Sequence, residues 1–491
     1  MRPLRDYQQQ ALANLRHSLK TGHKRPLLLC PTGGGKTLTA AWAIQSALDK
    51  GKRVAFCVPS IGLIDQTVDA FRAEGIYDIG VMQADHPGLD PDARVQVISE
   101  ATLLRRQRPE VDLVFVDECH QVHKAILSWM ADQPNLPFIG LSATPWTKGL
   151  GKFYDDLIVA ARMQDLIDAG HLSPFRAYAP THPDLTGVRT VAGDYHEGEL
   201  AEAMSKPELT ADVVANYLAK GENRPALCFG VNRAHAYQLY QDFERAGVPA
   251  AYVDAHTDRV EREAVKRAFH DGDVKVVCNI GTLTTGIDWD VRCLILARPT
   301  KSEALYQQIV GRALRTADGK TDALIFDHSD TTLRLGFVTD IHHDELDKGK
   351  RKEAVGSRNR EVAVKLPKEC PSCHFVKPDG IHTCPECGFA PKRLSEVETV
   401  EGDLVQLSGK KAPPVTMEVK QHWYSALIWI ARERQYKPGW AARKYHDKFG
   451  VWPANSMSER AEAPSTQVRN WVKSQQIAWA HSQKKGQSNA A

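Results

Sequence analysis

Two kinds of hydrophobic pattern alternate along the chain. Short, nearly continuous apolar runs start at Leu27 and recur at Val54–Val58, Val95–Ile98, Val111–Val116 and Phe138–Leu141. A second set occupies Ala226–Phe229, Ala250–Val253, Val274–Cys278, Val291–Leu296 and Ala323–Phe326. Runs of this length without polar alternation read as strands buried on both faces, the habit of parallel sheets. Between them, apolar residues recur every three or four positions and predict amphipathic helices over 232–246, 258–270 and 302–315. An N-terminal helix is predicted from Leu4, Tyr7, Leu12, Leu15 and Leu19, and another from the LTAAWAIQSAL that follows Thr37. Strands alternating with helices in two blocks predict two parallel-sheet α/β lobes. The stretch between them is punctuated by Gly and Pro, has helical pieces at 160–169 and 198–204, and reads as a linker with an ornament. The expected domains are 1–160, 161–210 (linker), 211–340, 341–369 (a charged linker), 370–391 and 411–480.

Polar chemistry collects where the strands end. LLLCPTGGGKT, Leu27 to Thr37, is an apolar run, then three glycines, then Lys36 and Thr37 at the start of a helix. Backbone N–H groups of such a loop, here Thr32, Gly33, Gly34 and Gly35, cradle phosphate oxygens at a helix N-terminus. The lysine reaches the β- and γ-phosphates and the Thr hydroxyl ligates Mg²⁺. Cys30 stands where the general G-x-x-x-x-G-K-[ST] pattern has its first glycine. A nucleoside triphosphate with Mg²⁺ is the expected ligand. The fourth strand runs into Asp117 and Glu118, and the fifth into Ser142, Ala143 and Thr144. A strand-end acid beside a phosphate loop can hold Mg²⁺, and the next carboxylate can take a proton from an attacking water. The second lobe has no phosphate loop, but Gln308, Gly311, Arg312 and Arg315 fall on one predicted helix. The two arginines are three apart, hence on one face, and suit phosphates across a cleft.

Charge and cysteine content sharpen this picture. The net charge of +3 is unevenly spread: residues 401–491 carry +7, and 1–340 are net acidic. A polyanion is expected at the C-terminal end. No apolar segment follows the charged N-terminus and no run is long enough to span a bilayer, so neither a signal peptide nor a membrane partner is expected. Of ten cysteines, Cys370/Cys373 and Cys384/Cys387 form two C-x₂-C pairs, while the other six are scattered. That is no secreted disulfide framework, and a reducing, cytoplasmic setting is expected. Two C-x₂-C knuckles at that separation can present four thiolates to a structural Zn²⁺, with an iron–sulfur cluster as the rival. The tail holds six of the ten tryptophans. Most are expected to pack a small helical core, but Lys437, Arg443, Lys444 and Lys448 interleave with Trp440, Tyr445 and Phe449, which fits either nucleic-acid contact or a solvated helix face. The last dozen residues look disordered.

Taken together, PTGGGKT, VPSIGLIDQ, DECH, LSATP, CFGVNRAH, TLTTGID and QQIVGRALR resemble the ordered motifs of superfamily 2 helicases. Within them, LRDYQQQAL and ARPTKSEALYQQIVGRALRTADGKTDALIFD look like the bacterial RadD subfamily of DEAD/DEAH-type DNA helicases. The resemblance covers roughly 1–335, extends more loosely to the cysteine cluster, and implies two tandem RecA-like lobes of an ATP-driven, nucleic-acid-stimulated motor; the cysteine and tail patterns add an expected zinc ribbon and a helical C-terminal domain. It implies that Gln8 reads adenine, that Lys36 and Thr37 bind phosphates and Mg²⁺, that Asp117 holds the metal and that Glu118 activates water. His120, Ser142 and Thr144 would couple nucleotide to the nucleic-acid path. Gly286 and Asp288 would sense nucleotide state, and Thr284 and Thr285 would lie near the nucleic-acid backbone. Gln308 would help place the attacking water, with Arg312 and Arg315 as arginine fingers. Cys119 in place of the commoner alanine fits the DExH/DECH motors, and Trp289 is either a base stacker or a core residue. DNA in repair, recombination or replication is the expected substrate, with a protein partner docking through the tail. RNA, or a restriction or defence complex translocating on duplex DNA, is the alternative.

Overall fold

The computed structural model describes residues 1–83, 86–191, 193–281, 283, 289–349, 366–391 and 415–487. Within them the chain divides into two units, Met1–Arg393 and Leu394–Ala491.

The apolar runs are buried strands, as their composition dictates. β1 (Pro26–Leu29), β2 (Val54–Val58), β3 (Ile79–Val81), β4 (Val95–Ser99), β5 (Leu113–Asp117), β6 (Phe138–Ser142) and β7 (Asp156–Val159) build one sheet in the order β3-β4-β2-β5-β6-β1-β7. Every pairing in it is parallel. Its two faces are separate cores, one with Leu28, Ile44, Phe56 and Phe71, the other with Leu27, Val114, Trp129 and Phe138.

The second sheet has the order β12-β13-β11-β14-β15-β8 and is also all parallel. β8 is Phe175–Tyr178; a hairpin, β9 (Thr190–Val191) and β10 (Asp194–Tyr195), follows it. The remaining strands are β11 (Ala226–Phe229), β12 (Ala250–Val253), β13 (Val276–Asn279), β14 (Cys293–Leu296) and β15 (Ala323–Asp327). β8 corrects the linker reading of 161–210, because Phe175–Tyr178 pairs with Ala323–Phe326 as an edge strand of this sheet. The sequence hid it because Phe-Arg-Ala-Tyr sits among Gly and Pro and an edge strand need not be apolar throughout. Trp289 is a core residue, buried and packed on Phe269 with ring centroids 5.4 Å apart.

Residues 341–349, expected to be linker, return to the first lobe. Asp347 accepts from Gly149 N–H (2.9 Å) and its carbonyl from Gly151 N–H (2.8 Å), while Leu346 packs into that lobe's core. Most of the rest of that expected linker lies outside the described residues.

The cysteine ribbon is built on β16 (Lys368–Glu369) and β17 (Val376–Lys377) and covers the exposed edge of β8. Ala179 N–H donates to His374 O (2.9 Å), Phe375 packs edge-on against Tyr178, and the Tyr178 hydroxyl donates to Glu386 Oε1 (2.7 Å). An uncovered parallel edge would offer unpaired backbone groups to other chains, so the ribbon completes the second lobe.

In the second unit, Met417–Glu433, Trp440–Phe449 and Thr466–Gln487 are helices. Their core holds Trp423, Leu427, Ile430, Tyr445, Val468 and Val472. The last helix runs to Gln487 and so shortens the expected disordered end.

Candidate active site

The phosphate loop is set by its own covalent constraints. Gly33 (φ +83°) and Gly35 (φ +75°) take the left-handed conformation that side chains resist, and Gly35 caps the helix Lys36–Leu48. Cys30 accounts for the missing first glycine. Its buried thiol donates to Gly34 O (3.2 Å), and burial pushes its pKa up to about 12, so it stays protonated. Tyr7 donates its hydroxyl to the same carbonyl at 2.7 Å, a contact the sequence reading missed. Gln8 is buried, accepts from Arg5 N–H (3.0 Å) and directs its amide at Gly34 O and Gly35 O (3.3 and 3.4 Å). In this conformation Gln8 braces the loop from behind. Thr37 is exposed on the first turn of the helix.

Lys36 lies between two carboxylates, 2.7 Å from Asp117 Oδ1 and in direct contact with Glu118 Oε1. The Lys36 pKa is raised: burial lowers it, but the charges of Asp117 and Glu118 outweigh that loss. Burial also raises Asp117 against the pull of Lys36, with the neighbouring Glu118 charge adding to the rise. For Glu118, burial works upward, yet the charges of Lys36, His120 and Arg312 hold it below its ordinary value. Glu118 has φ +46°, which for a residue with a β-carbon stores about 1 kcal/mol or more. Its Oε2 is buried with no hydrogen-bond partner among the described residues. Two half-buried carboxylates at a strand end, facing the lysine that opens the loop helix, are hard-oxygen donors of the kind Mg²⁺ takes.

Beside Glu118, hydrogen bonds run from Ser142 through His120 to the second lobe. His120 Nδ1 lies 3.3 Å from Glu118 Oε2 and 2.9 Å from Ser142 Oγ. On its other side, His120 Nε2 is 3.3 Å from Gln308 Nε2, and the same amide donates to Thr144 Oγ1 at 3.2 Å. Burial lowers the His120 pKa, so the ring is neutral at neutral pH. A tautomer protonated on Nδ1 then satisfies both sides, accepting from Gln308 through Nε2. Thr147 donates to His120 O at 2.7 Å, a second support that the sequence did not announce.

The helix Glu303–Ala313 also presses on the phosphate loop. A β-carbon at Gly311 would lie 2.6 Å from Thr32 Cβ, so this glycine is what lets the helix approach. A β-carbon at Gly33 would meet Leu172 Cδ2 at 2.8 Å and Arg315 Cγ at 3.4 Å. Arg312 is buried, and its charge is felt at Glu118. Arg315 corrects an expectation: the helix ends at Ala313, and Arg315 instead forms an isolated antiparallel bridge with Leu172. Leu172, in the segment read as linker, left no signal in the sequence. Thr284, Thr285, Gly286 and Asp288 lie outside the described residues.

Away from this cleft, Cys370, Cys373, Cys384 and Cys387 bring four sulfurs within 4.8 Å of one another. The Sγ separations of 3.8 Å (Cys370–Cys387) and 3.7 Å (Cys373–Cys384) match the edge of a tetrahedron with metal–sulfur bonds of about 2.3 Å. In the C-terminal unit, Lys437 and Arg443 are exposed, Lys444 pairs with Asp447 (2.8 Å), and Trp440 is half-buried and stacked on Tyr436. Tyr445 is fully buried and so does not fit the outward role its place in the sequence suggested, whereas Lys448 is exposed with its ammonium over the Trp423 ring. The most exposed ring among the described residues there is Trp452, lying against His446 with centroids 4.6 Å apart. No helix among the described residues is long and apolar enough to cross a membrane.

Two parallel-sheet lobes, with a phosphate loop on one and a helix of the other pressed against that loop, define a two-lobed nucleotide-binding architecture. Residues 2–147 match the family model "Type III restriction enzyme, res subunit", and residues 208–317 match "Helicase conserved C-terminal domain". The chain thus belongs to superfamily 2 of the helicases and is an ATP-dependent enzyme of that class. It is 27% identical to a 51.5 kDa protein of a Lactococcus phage (isolate 7-9), across 92% of this chain and the whole of that one. It is 28% identical to a Saccharomyces cerevisiae protein named as an ATP-dependent helicase, IRC3, across 66% of this chain but only 51% of the yeast protein. Among solved structures, the ATP-dependent Type ISP restriction-modification enzyme LlaBIII bound to DNA shares the fold, with a TM-score of 0.51 at 17% identity. That match covers 66% of this chain and 28% of the enzyme.

Proposed function

We propose that this protein is a DNA motor of the RadD kind, which couples ATP hydrolysis to movement along or separation of DNA strands in repair, recombination or replication. The observation that carries the reading is the hydrogen-bonded cluster of Ser142, His120, Gln308 and Thr144, which spans both lobes with His120 standing 3.3 Å from the Glu118 carboxylate. In this reading the loop amides and Lys36 hold the phosphates, while Asp117 and Thr37 hold Mg²⁺, which would neutralise phosphate charge. Glu118 receives the proton of the attacking water, Gln308 orients that water, and Arg312 and Arg315 neutralise charge on the transferring phosphoryl group. Gln8 turns from the loop toward adenine. The four thiolates hold one Zn²⁺, since sulfurs this close suit a single ion rather than a multi-iron cluster. The excess of basic residues in the tail, with Lys437, Arg443, Lys444 and Trp440 and the exposed Trp452, favours a DNA grip there.

A second reading has its own support: a restriction-subunit family model matches the first lobe, and the LlaBIII enzyme shares the fold. In it the chain translocates on duplex DNA within a defence complex. The deciding experiment is the ATPase rate with single-stranded, duplex and branched DNA and with RNA. Stimulation by single-stranded or branched DNA supports the first reading, by duplex alone the second. Stimulation by RNA alone overturns both.

A further inference from the structure

Lys320 sits under the C-terminal end of the helix that carries Gln308 and Arg312. Its ammonium donates to Ala313 O (2.5 Å), Arg315 O (2.6 Å) and Val291 O (2.8 Å). The last carbonyls of a helix have no partner within it and carry the negative end of its dipole, so a cation there serves as both donor and counter-charge. All three ammonium protons are used. A turn folds the lysine back into place, with Gly319 at φ +69° and Lys320 N–H donating to Ala317 O (3.1 Å). Arg292 holds that turn through Gly319 O and Asp318 O. From the other side, Ser173 N–H donates to Leu314 O (2.7 Å), and its hydroxyl to Arg315 O (3.2 Å). Leu172, next to Ser173, is the residue that meets both Arg315 and the phosphate loop at Gly33.

We infer that Lys320 is a positioning residue for ATP hydrolysis: its ammonium clamps the Ala313–Arg315 backbone, and so sets where Arg312 and Arg315 stand against the phosphate loop. The inference rests on the proposed role of those arginines. Arg keeps the charge and the donors that the backbone carbonyls need; Met keeps the bulk and loses both.

The clamp also has a pH signature. Burial lowers the Lys320 pKa from 10.5 to about 8; Asp290 opposes that, Arg292 and Arg224 add to it, and Asp322 opposes it. Those four exert the largest charge effects on it among the described residues. As pH rises through about 8 the amine loses its charge and one N–H, and a carbonyl is released. The sign for stability is opposite. Because the unfolded lysine keeps its proton up to about 10.5, the folded state gains stability between about 8 and 10.5. An alkaline loss of turnover by this route therefore comes without unfolding.

The test uses the full chain with Mg-ATP and a stimulating DNA. For Lys320→Met, kcat should fall about tenfold or more with the KM for ATP changed less than about twofold. Lys320→Arg should recover most of kcat, and its alkaline limb should move up by about one pH unit or more, since guanidinium does not titrate in this range. Circular dichroism and a melting curve at each pH establish that the fold is intact; if Lys320→Met does not fold, the limb of Lys320→Arg decides. Parent kcat in Lys320→Met, or an unmoved alkaline limb in Lys320→Arg, overturns the inference. Arg315→Ala separates it from the reading beneath: if that variant turns over normally, the arginine assignment itself fails. If Arg315→Ala is inactive while Lys320→Met is normal, only the clamp fails.

Discussion

Gly311→Ala is the sharpest test of how the lobes meet. The added methyl carbon would stand 2.6 Å from Thr32 Cβ, 3.0 Å from its Cγ2 and 3.2 Å from its Oγ1. Carbon atoms in contact prefer about 3.5–4.0 Å, so the helix Glu303–Ala313 and the phosphate loop must part by roughly 1 Å. Neither side yields easily: the loop is tied by Tyr7, Gln8 and Cys30, and the helix by Gln307, whose amide is bound to Val338 O and Ile341 O. A displacement of about 1 Å at a reacting centre can cost on the order of 10²-fold in rate, so kcat should drop by that order. Affinity for ATP should change little, because the loop amides and Lys36 stay in place. The helix itself should gain, since alanine is better than glycine in a helix interior by about 1 kcal/mol. Turnover and intrinsic helix stability are thus expected to move in opposite directions. DNA-stimulated ATPase, nucleotide binding and thermal melting measured on one preparation check all three. Adding Thr32→Gly removes the clashing atoms, and the double variant should show coupling of about 1 kcal/mol or more in kcat. Turnover at the parent rate in Gly311→Ala would refute the idea that this contact sets the catalytic geometry.

Other outcomes follow from the same geometry. Glu118→Gln should bind ATP yet hydrolyse it on the order of 10²-fold more slowly, and a parent rate there would remove Glu118 as the base. Metal analysis should find one zinc per chain in colourless protein. Because the ribbon covers β8, Cys384→Ser should cost the second lobe about 2 kcal/mol, roughly 4–8 °C in melting temperature, and promote aggregation; unchanged melting would mean the cover is dispensable. A chain ending before Lys411 should keep basal ATPase but need more DNA for stimulation. Its plot of log affinity against log salt should flatten by about 0.7–0.9 per lost phosphate contact. Trp452→Ala in the full chain should weaken single-strand binding with little change in that slope, whereas Tyr445→Ala should act only by destabilising the domain.

Burial on both faces forces apolar runs, and so the sequence alone placed Val54–Val58 and Ala226–Phe229 to the residue. Local covalent demands write themselves into short motifs in the same way. Glycines at positive φ, a lysine opening a helix and acids closing a strand needed no tertiary information, nor did the pairing of four cysteines. What depended on distant partners was not legible. β8 becomes a strand only because β15 and the ribbon lie on either side of it. Tyr445 lies among charged residues in the sequence, yet three packed helices bury it and leave Trp452 in solvent. Arg315 leaves its predicted helix because Leu172, Ser173 and Lys320 claim the backbone there. A residue's own type sets what it can bind. Which group meets it across hundreds of positions is fixed only when the chain closes on itself.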